Sequence, residues 1–514
     1  MKKIYCTVCL LVVLCMASAC GDFFLDKMPD RRTELDSNQK IRDLLVSAYP
    51  TSDPMMIYEH RTDNVMDNGK KYGSEMITLF ENYHWKDISD TGSDSPEGLW
   101  RGCYGAIAAA NQALGAIQRI GSSKENNSAK GEALICRAYA HFLLANTFCM
   151  PYVEATAKTD MGIPYVEEPE TFVGKKYERG TVESVYEKLA RDIEEGFPLI
   201  DDNAYSVPIY HFTRRAAAAF ACRFYLFYGK YEQALKYADM AIDDDPSASL
   251  RDMISYSVLV SRKDIHHKFI SKDEPANLLL VALYSLWGRN YGARNERYGN
   301  SIEMVRRTLY QSTGPWGRVL PGFDKLFGSG VSVDQPKYDL IFESTNVQAG
   351  IGFAHVVQMA FTVDETLLCR AEAKVMLKRY DEAARDLSLY YVKKGGKAAS
   401  ATEIVEYYTK RRDADQKEFE GGTLAPWLML VKPFNAPFVI ESGTQEMMLQ
   451  AVLHVRRIED IWGGLRWLHL RRFGIEVEHN IDEDNSIKLS ATDLRRVIQL
   501  PKSVISAGLP ANPR

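Results

Sequence analysis

Two stretches decide how this chain is read: Gly229-Lys230-Tyr231-Glu232-Gln233-Ala234 with Ala238, and Lys378-Arg379-Tyr380-Asp381-Glu382-Ala383 with Leu387. Each follows a helical run containing small residues, from about residue 213 in the first case and 363 in the second. Small residues let two helices approach closely, and Tyr-x-x-Ala then falls in the second helix of the pair. That order is the tetratricopeptide pattern, in which a helix pair buries its apolar face only against its neighbours. The helices around Ala138 and Tyr186 supply further pairs. The expected fold is mostly α, a scaffold of tetratricopeptide-like helix pairs.

The helical period continues outward. Trp100, Tyr104, Ile107, Asn111, Leu114 and Ile117 recur at spacings of three and four, forming one stripe. Asn111 lies within it, so its amide needs partners and is expected to fix a neighbouring loop. Residues 38–49 and 129–147 read as helices, and Thr181 as the N-cap of another. Residues 442–473 read as one closing helix. The scaffold thus covers about 38–49, 97–243, 363–412 and 442–473. Residues 50–96, 245–355 and 413–441 show little periodicity and are too long to be mere connections. They form an irregular, loop-rich lobe.

The chain opens Met1-Lys2-Lys3, runs through apolar residues from Ile4 to Met16, and reaches Ala17-Ser18-Ala19-Cys20. A basic start, a short apolar core and small residues before a cut mark a secretory signal peptide over 1–19, too short to span a bilayer. A cysteine directly after the cut is the lipidation position of a bacterial lipoprotein, so Cys20 is expected to carry the anchor. Attachment is then by lipid alone, because no later stretch is long and apolar enough to cross a membrane. Residues 20–37 read as a tether that docks back through Phe23, Phe24 and Leu25.

With 63 basic against 68 acidic residues the net charge is −5, which gives no electrostatic reason to expect nucleic acid. Beyond Cys20 five cysteines remain, an odd number without close pairs, which argues against a disulfide framework. Cys136, Cys222 and Cys369 are expected as small buried hydrophobes. Gly328-x-Gly330 and Gly350-x-Gly352 lack the rest of a phosphate loop, and no zinc or nucleophile motif exists. His266-His267 reads as solvated. Asp482, Asp484 and Ser486 make a poor calcium loop, with Ile487 where glycine is needed. No metal, cofactor or catalytic residue is therefore assigned, although a carboxylate pair for glycoside hydrolysis is not something sequence can single out.

Several segments together resemble the RagB/SusD family of nutrient-binding outer-membrane lipoproteins of Bacteroidota. They are the Cys20 start with Phe24-Leu25-Asp26-x-x-Pro29, the Trp100–Asn111 stripe, and Glu132-Ala133-x3-Arg137-Ala138-Tyr139-x2-Phe142. Arg179-x-Thr181-Val182-x2-Val185-Tyr186, Asp364-Glu365 with Leu368 and Arg370-Ala371-Glu372-Ala373, and Arg457-x-Glu459 with Gly464-x-Arg466-Trp467-x2-Leu470-x-Arg471 follow in order. Gly463 and His469 depart from the usual acidic residues there, which loosens a structural charge network. Arg137, Arg370 and Arg466 are expected to satisfy helix ends or buried carboxylates.

The resemblance implies a SusD-like fold over 20–514 as one domain, four tetratricopeptide-like pairs on one side and loops on the other. It implies lipid anchoring at the cell surface of the outer membrane and a SusC-like TonB-dependent transporter as partner, facing the helical side. The ligand it implies is a glycan in most such proteins and a peptide in some, captured without catalysis. A surface glycosidase or protease and a purely structural scaffold are the other classes considered.

A glycan site needs exposed aromatic rings for the apolar faces of sugars, interleaved with polar side chains for their hydroxyls. Two stretches have that makeup: 67–85, and 287–295 with Trp316 nearby. The residues expected to line the site are Tyr72, Tyr83, Trp85, Trp287, Asn290, Tyr291, Arg294 and Trp316.

Overall fold

The computed structural model describes residues 35–514, leaving out 74–75, 122, 171, 173, 292–296, 318, 321–326, 329–330, 347 and 483–484. The signal peptide, Cys20 and most of the tether lie outside the described residues.

Helix α1 (Asn38–Leu45) packs through Ile41 and Leu45 against α2 (Pro96–Ile120) and α3 (Lys124–Phe148). Ser95 and Ser123 start the two long helices by accepting from the backbone of Gly98 and Asn126. Thr181 and Ser184 form a capping box at the head of α4 (Val182–Gly196). Asn111 does what its place in the stripe requires: its amide donates to Val166 O at 3.0 Å and its oxygen accepts from Arg137.

The two motif stretches become α5 (Arg214–Phe227) with α6 (Tyr231–Ala241), and α7 (Val363–Met376) with α8 (Tyr380–Lys393). Ala216–Ala219 are all buried in α5, as are Ala234 and Ala238 of α6, and the two helices pack together. The turns match as well. Lys230 N donates to Tyr225 O across left-handed Gly229 (φ 73°), and Arg379 N to Lys374 O across left-handed Lys378 (φ 61°). This is one C-terminal capping geometry built twice, once with glycine and once at the steric cost of a side chain. Helices α6 and α7 also touch, so the pairs stack although about 120 residues intervene between them.

Three expectations change. Helix α9 (Ala401–Glu420) runs past residue 412 into the stretch read as loop. It is held by a Ser400–Glu403 capping box and an Arg411–Asp415 pair one turn apart, and buries few side chains, so apolar periodicity does not show it. The closing helix is two, α10 (Thr444–Glu459) and α11 (Leu465–Arg472). Trp462 and Gly464 between them are left-handed, and a Cβ on Gly464 would stand 3.1 Å from Met55 Cα, a tight approach that adds to the left-handed strain and favours glycine there. Within the stretch read as aperiodic lies an antiparallel sheet in the order β1 (Asn277–Leu283), β3 (Ile351–Thr362), β2 (Ile341–Asn346). Strand β3 runs directly into α7, with Thr362 as the cap.

Buried ion pairs tie these elements together. Arg137 grips Asp192 with two hydrogen bonds, Arg370 grips Asp386, and Arg466 grips Asp63 at 2.9 Å on each oxygen. All three arginines thus satisfy buried carboxylates. Asp63 also takes Lys432 Nζ at 2.9 Å, with Arg457 at 3.7 Å. Burial alone would raise the Asp63 pKa; Arg457, Arg466 and Lys432 outweigh it and hold the carboxyl well below the usual range. Where the resemblance expects an acid, burial keeps His469 neutral, and its Nε2 stands 2.8 Å from Arg456 Nη1 as an acceptor. The departure therefore swaps an ion pair for a neutral contact. The five cysteines of the described residues are free and buried.

Asp63→Asn strands three buried cations and is expected to cost about 3–5 kcal/mol at neutral pH. Because the folded pKa is depressed, the Asp63 contribution is complete above the unfolded carboxyl pKa, about 3.9, and fades as pH falls toward the folded value. Urea melts at pH 7 and pH 3 should show the variant closest to the parent at the lower pH. Parallel pH curves would refute the assignment.

Candidate functional site

The structure buries most of the aromatics expected to meet a ligand. Tyr83 ends a short helix (Ile77–Tyr83), accepts from Asp67 N at 2.8 Å and donates to Asn480 O at 2.8 Å. His479 is sandwiched between Tyr83 and Trp85, with ring centroids 4.2 and 4.4 Å away. Trp85 takes a left-handed backbone (φ 51°) and donates its indole N–H to Arg61 O at 3.1 Å. Trp287 donates to Trp462 O at 2.9 Å, and Tyr291 accepts from Arg262 and from Tyr338 N. Trp316 packs on Tyr391 and His454.

Tyr83, Trp85, Trp287, Tyr291 and Trp316 are at most 2% exposed, and Asn290 is buried beside them. None of these six presents a face to a ligand, so their assignment as contacts is corrected to support beneath the surface. The physical reason is area. A buried aromatic side chain removes about 150–250 Å² from water, and these Gly- and Asn-rich segments thread through the interior. Tyr72 is different: it stays half-buried with Lys71 Nζ 4.9 Å above its ring. Arg294 lies outside the described residues.

What stands outward above this support is the far end of the sheet. The turn after β1 is fixed by Asp94, which accepts from Ser285 Oγ at 2.5 Å and Leu286 N at 2.8 Å. Burial raises the Asp94 pKa while these two bonds lower it, with a net upward shift. The turn leaves Tyr284 46% and Leu286 47% exposed, with Arg289 exposed beyond. Tyr284 meets Phe353 of β3 edge-on at 5.2 Å.

Register then assigns the faces. Phe353 pairs with Glu343 and His355 with Ile341, so these four share one side of the β3–β2 ladder. Val356 and Ala360, on the other side of β3, are buried. The outward side therefore carries Tyr284 and Phe353 as rings, with Glu343 and His355 as polar neighbours. Phe342, on the opposite side of its strand, is also exposed. Sequence reasoning missed these residues. Their signal was alternation along Ile351-Gly352-Phe353-Ala354-His355-Val356, inside a stretch where no helical period was found.

A second polar cluster lies deeper in the molecule. Asp53, Arg251, Lys337, Glu365 and Asp460 line a cavity of about 60 Å³ between the sheet and α10. Burial raises Asp53 to about 6 and Asp460 to about 7. Cations interleave with these acids, and desolvation is the largest cause of both shifts. His266, expected as solvated, is buried on a helix (Arg262–Phe269) with Nδ1 3.1 Å from Lys337 O. Among the described residues no group of three or more His, Cys, Asp or Glu could hold a metal ion, and no helix is long and apolar enough to cross a membrane.

Stacked helix pairs carrying a loop-rich lobe define a class of helical-scaffold folds. Residues 23–226 match the SusD-like family model described as "Starch-binding associating with outer membrane". Solved structures share the fold over nearly the whole chain. A putative sugar binding protein from Bacteroides vulgatus ATCC 8482 is 18% identical, with TM-score 0.65 and coverage of 93% of this chain and 97% of that one. A SusD superfamily protein from the same organism is also 18% identical, with TM-score 0.62 and coverage of 93% and 98%. A laminarin-binding SusD-like protein is 14% identical, with TM-score 0.55 and coverage of 92% and 99%. No curated protein matches in sequence. The chain is thus similar to SusD-like proteins, in sequence over residues 23–226 and in fold over nearly its whole length.

The burial of Trp287 makes a direct prediction. Trp287→Ala is expected to cost about 3–5 kcal/mol of stability, read as a large drop in melting temperature, while Tyr72→Ala leaves the melt unchanged. A Trp287→Ala protein melting with its parent would place the indole outside the core.

Proposed function

We propose that this protein is a cell-surface glycan-capturing lipoprotein that delivers oligosaccharide to a SusC-like TonB-dependent transporter, without catalysis. In this reading residues 20–514 act as one domain held to the outer membrane through a lipid on Cys20. The helical side meets the transporter and the loop lobe meets the ligand. The observation that carries the ligand assignment is the Tyr284–Phe353 pair, two outward rings beside a turn held by a buried carboxylate, with Glu343 and His355 on the same side of the ladder. Apolar sugar faces pack on such rings, and hydroxyls find the polar neighbours. Tyr72 is the remaining contact from the 67–85 stretch. The family description and the sugar- and laminarin-binding structural relatives support a carbohydrate.

One feature favours a second reading. Strand β2 is a sheet edge and is mostly exposed, and an extended peptide could add to it by main-chain pairing. The ligand would then be a peptide captured for the same kind of transporter.

A glycan and peptide array separates the two readings. On any glycan bound, Tyr284→Ala and Phe353→Ala are each expected to weaken affinity about tenfold, about 1.4 kcal/mol, with melting temperature preserved. Unchanged affinity in both variants would move the site elsewhere. Cys20→Ala is expected to release the protein from the membrane fraction and abolish uptake; retention of both would refute the anchor.

A further inference from the structure

The turn that presents Tyr284 is held from two sides, and both holds rest on the first turns of α2. Tyr284 N donates to Thr51 O at 2.9 Å, and Asp94 accepts from Ser285 Oγ and Leu286 N. A Cβ on Gly98 would stand 2.3 Å from Gly92 O and 2.5 Å from Ser93 O, so the backbone leading into Asp94 lies directly on α2. One helical turn on, a Cβ on Gly102 would stand 3.1 Å from Ser52 Cβ, next in sequence to Thr51. The scaffold places the carboxylate, and the carboxylate places the turn.

A row of donors converges on Asp94. Trp287 N donates to Ser285 Oγ at 2.9 Å, Ser285 Oγ passes its own hydrogen to Oδ1, and Leu286 N serves Oδ2. What this carboxylate lacks is a cation. Asp63, Asp192 and Asp386 each meet an arginine, whereas Asp94, 8% exposed, forms no ion pair among the described residues. The ionisable groups on the elements packed around it are Asp90 on its own coil, Asp53 on the Thr51 segment, Glu97 and Arg101 on α2, and Arg289 beyond the turn. Glu97 is engaged by Ser503 Oγ at 2.6 Å, and both arginines are exposed and unpaired with Asp94. Asp90 repels the Asp94 charge, and Asp94 in turn repels that of Asp53. Burial, with Asp90 adding to it, leaves the Asp94 carboxyl above its ordinary range. Once protonated, Asp94 brings a hydrogen of its own into a row that offers only donors, and it loses the stronger bonds made to a charged acceptor.

We infer that Asp94 is a positioning residue for the Tyr284–Phe353 face, and that acid releases the ligand by protonating it. The turn is set while the carboxylate is charged and loosens when it is neutral. Capture at neutral pH and release in acid then follow from one group. The ligand named in this inference rests on the carbohydrate reading, while the state of the turn is readable without any ligand.

Hydrogen exchange of the full mature chain, corrected for the intrinsic effect of pH, tests the turn by itself. The parent is expected to protect residues 284–287 at pH 7 and to exchange there tenfold or more faster at pH 4, near the ordinary carboxyl value of about 3.9. Asp94→Asn is expected to exchange there at both pH values as the parent does in acid. Because the folded carboxyl lies above its ordinary value, its ionisation weakens the fold as pH rises through that value. Removing the charge should therefore leave the melting temperature at pH 7 equal to the parent's or higher, whereas replacing a residue that serves the fold alone would lower it. Titrations with maltohexaose and laminarihexaose, both neutral, then read the site. Affinity is expected to fall tenfold or more from pH 7 to pH 4 in the parent and in Asp53→Asn. The same fall is expected in His355→Gln and Glu343→Gln, which remove the ionisable groups of the face itself. Asp94→Asn should bind weakly at both pH values. The inference is overturned if Asp94→Asn leaves residues 284–287 protected at pH 7, if the parent stays protected there at pH 4, or if the acid effect survives in Asp94→Asn. Failure of the carbohydrate reading is distinct: neither glucan binds the parent, while exchange at the turn still follows Asp94.

Discussion

Asp63 is the point on which the rest of the molecule closes. A single carboxylate, fully buried, is met by Arg466 on α11, Arg457 on α10 and Lys432 on the coil before them. Each ion alone would be costly to take out of water, and their mutual arrangement offsets that cost only while all are present. The pairing joins the segment before the first long helix to the last helices, nearly 400 residues later in sequence. Arg457 strengthens the same junction by bonding Asn64, and Gly464 brings its backbone close against Met55. The helix pairs can stack without this junction. The loop-rich side cannot, because segments from both ends of the chain share it.

That closure explains why the aromatic segments are interior. Once residue 63 is held against α10 and α11, the residues around it cover Trp287, and those after it meet His479 and its two stacked rings. Trp462, in the break between α10 and α11, accepts the indole N–H of Trp287 on its own carbonyl. Large rings therefore hold the irregular side together from within, while Tyr284 at the end of the sheet stays exposed. A surface built this way loses little conformational freedom when a ligand arrives.

Local period made the helical half legible. Tyr231 and Ala234, and Tyr380 and Ala383, carry their meaning within one turn of helix, and Arg137, Arg370 and Arg466, expected at helix ends or buried carboxylates, meet carboxylates. The rest depended on contacts that no window contains. A tryptophan beside Gly and Arg has the same local pattern whether it is exposed or covered, and what covers Trp287 comes from residues near 60 and 462. Strand β3 escaped because its alternation is short and is flanked by segments without any. The break at Trp462–Gly464 escaped because a left-handed residue leaves the apolar pattern on either side intact.

The five cysteines carry a consequence of their own. Burial pushes the thiols of Cys103, Cys136, Cys149 and Cys369 upward in pKa, so they stay protonated at neutral pH. Oxidants and disulfides react with the thiolate, which these positions do not form while the core is intact. Chemical damage therefore has to wait for unfolding. A chain exposed to an oxidising medium would keep its shape through the tightness of its interior rather than through covalent staples, and the redox state of its surroundings would be indifferent to it until the moment it opens.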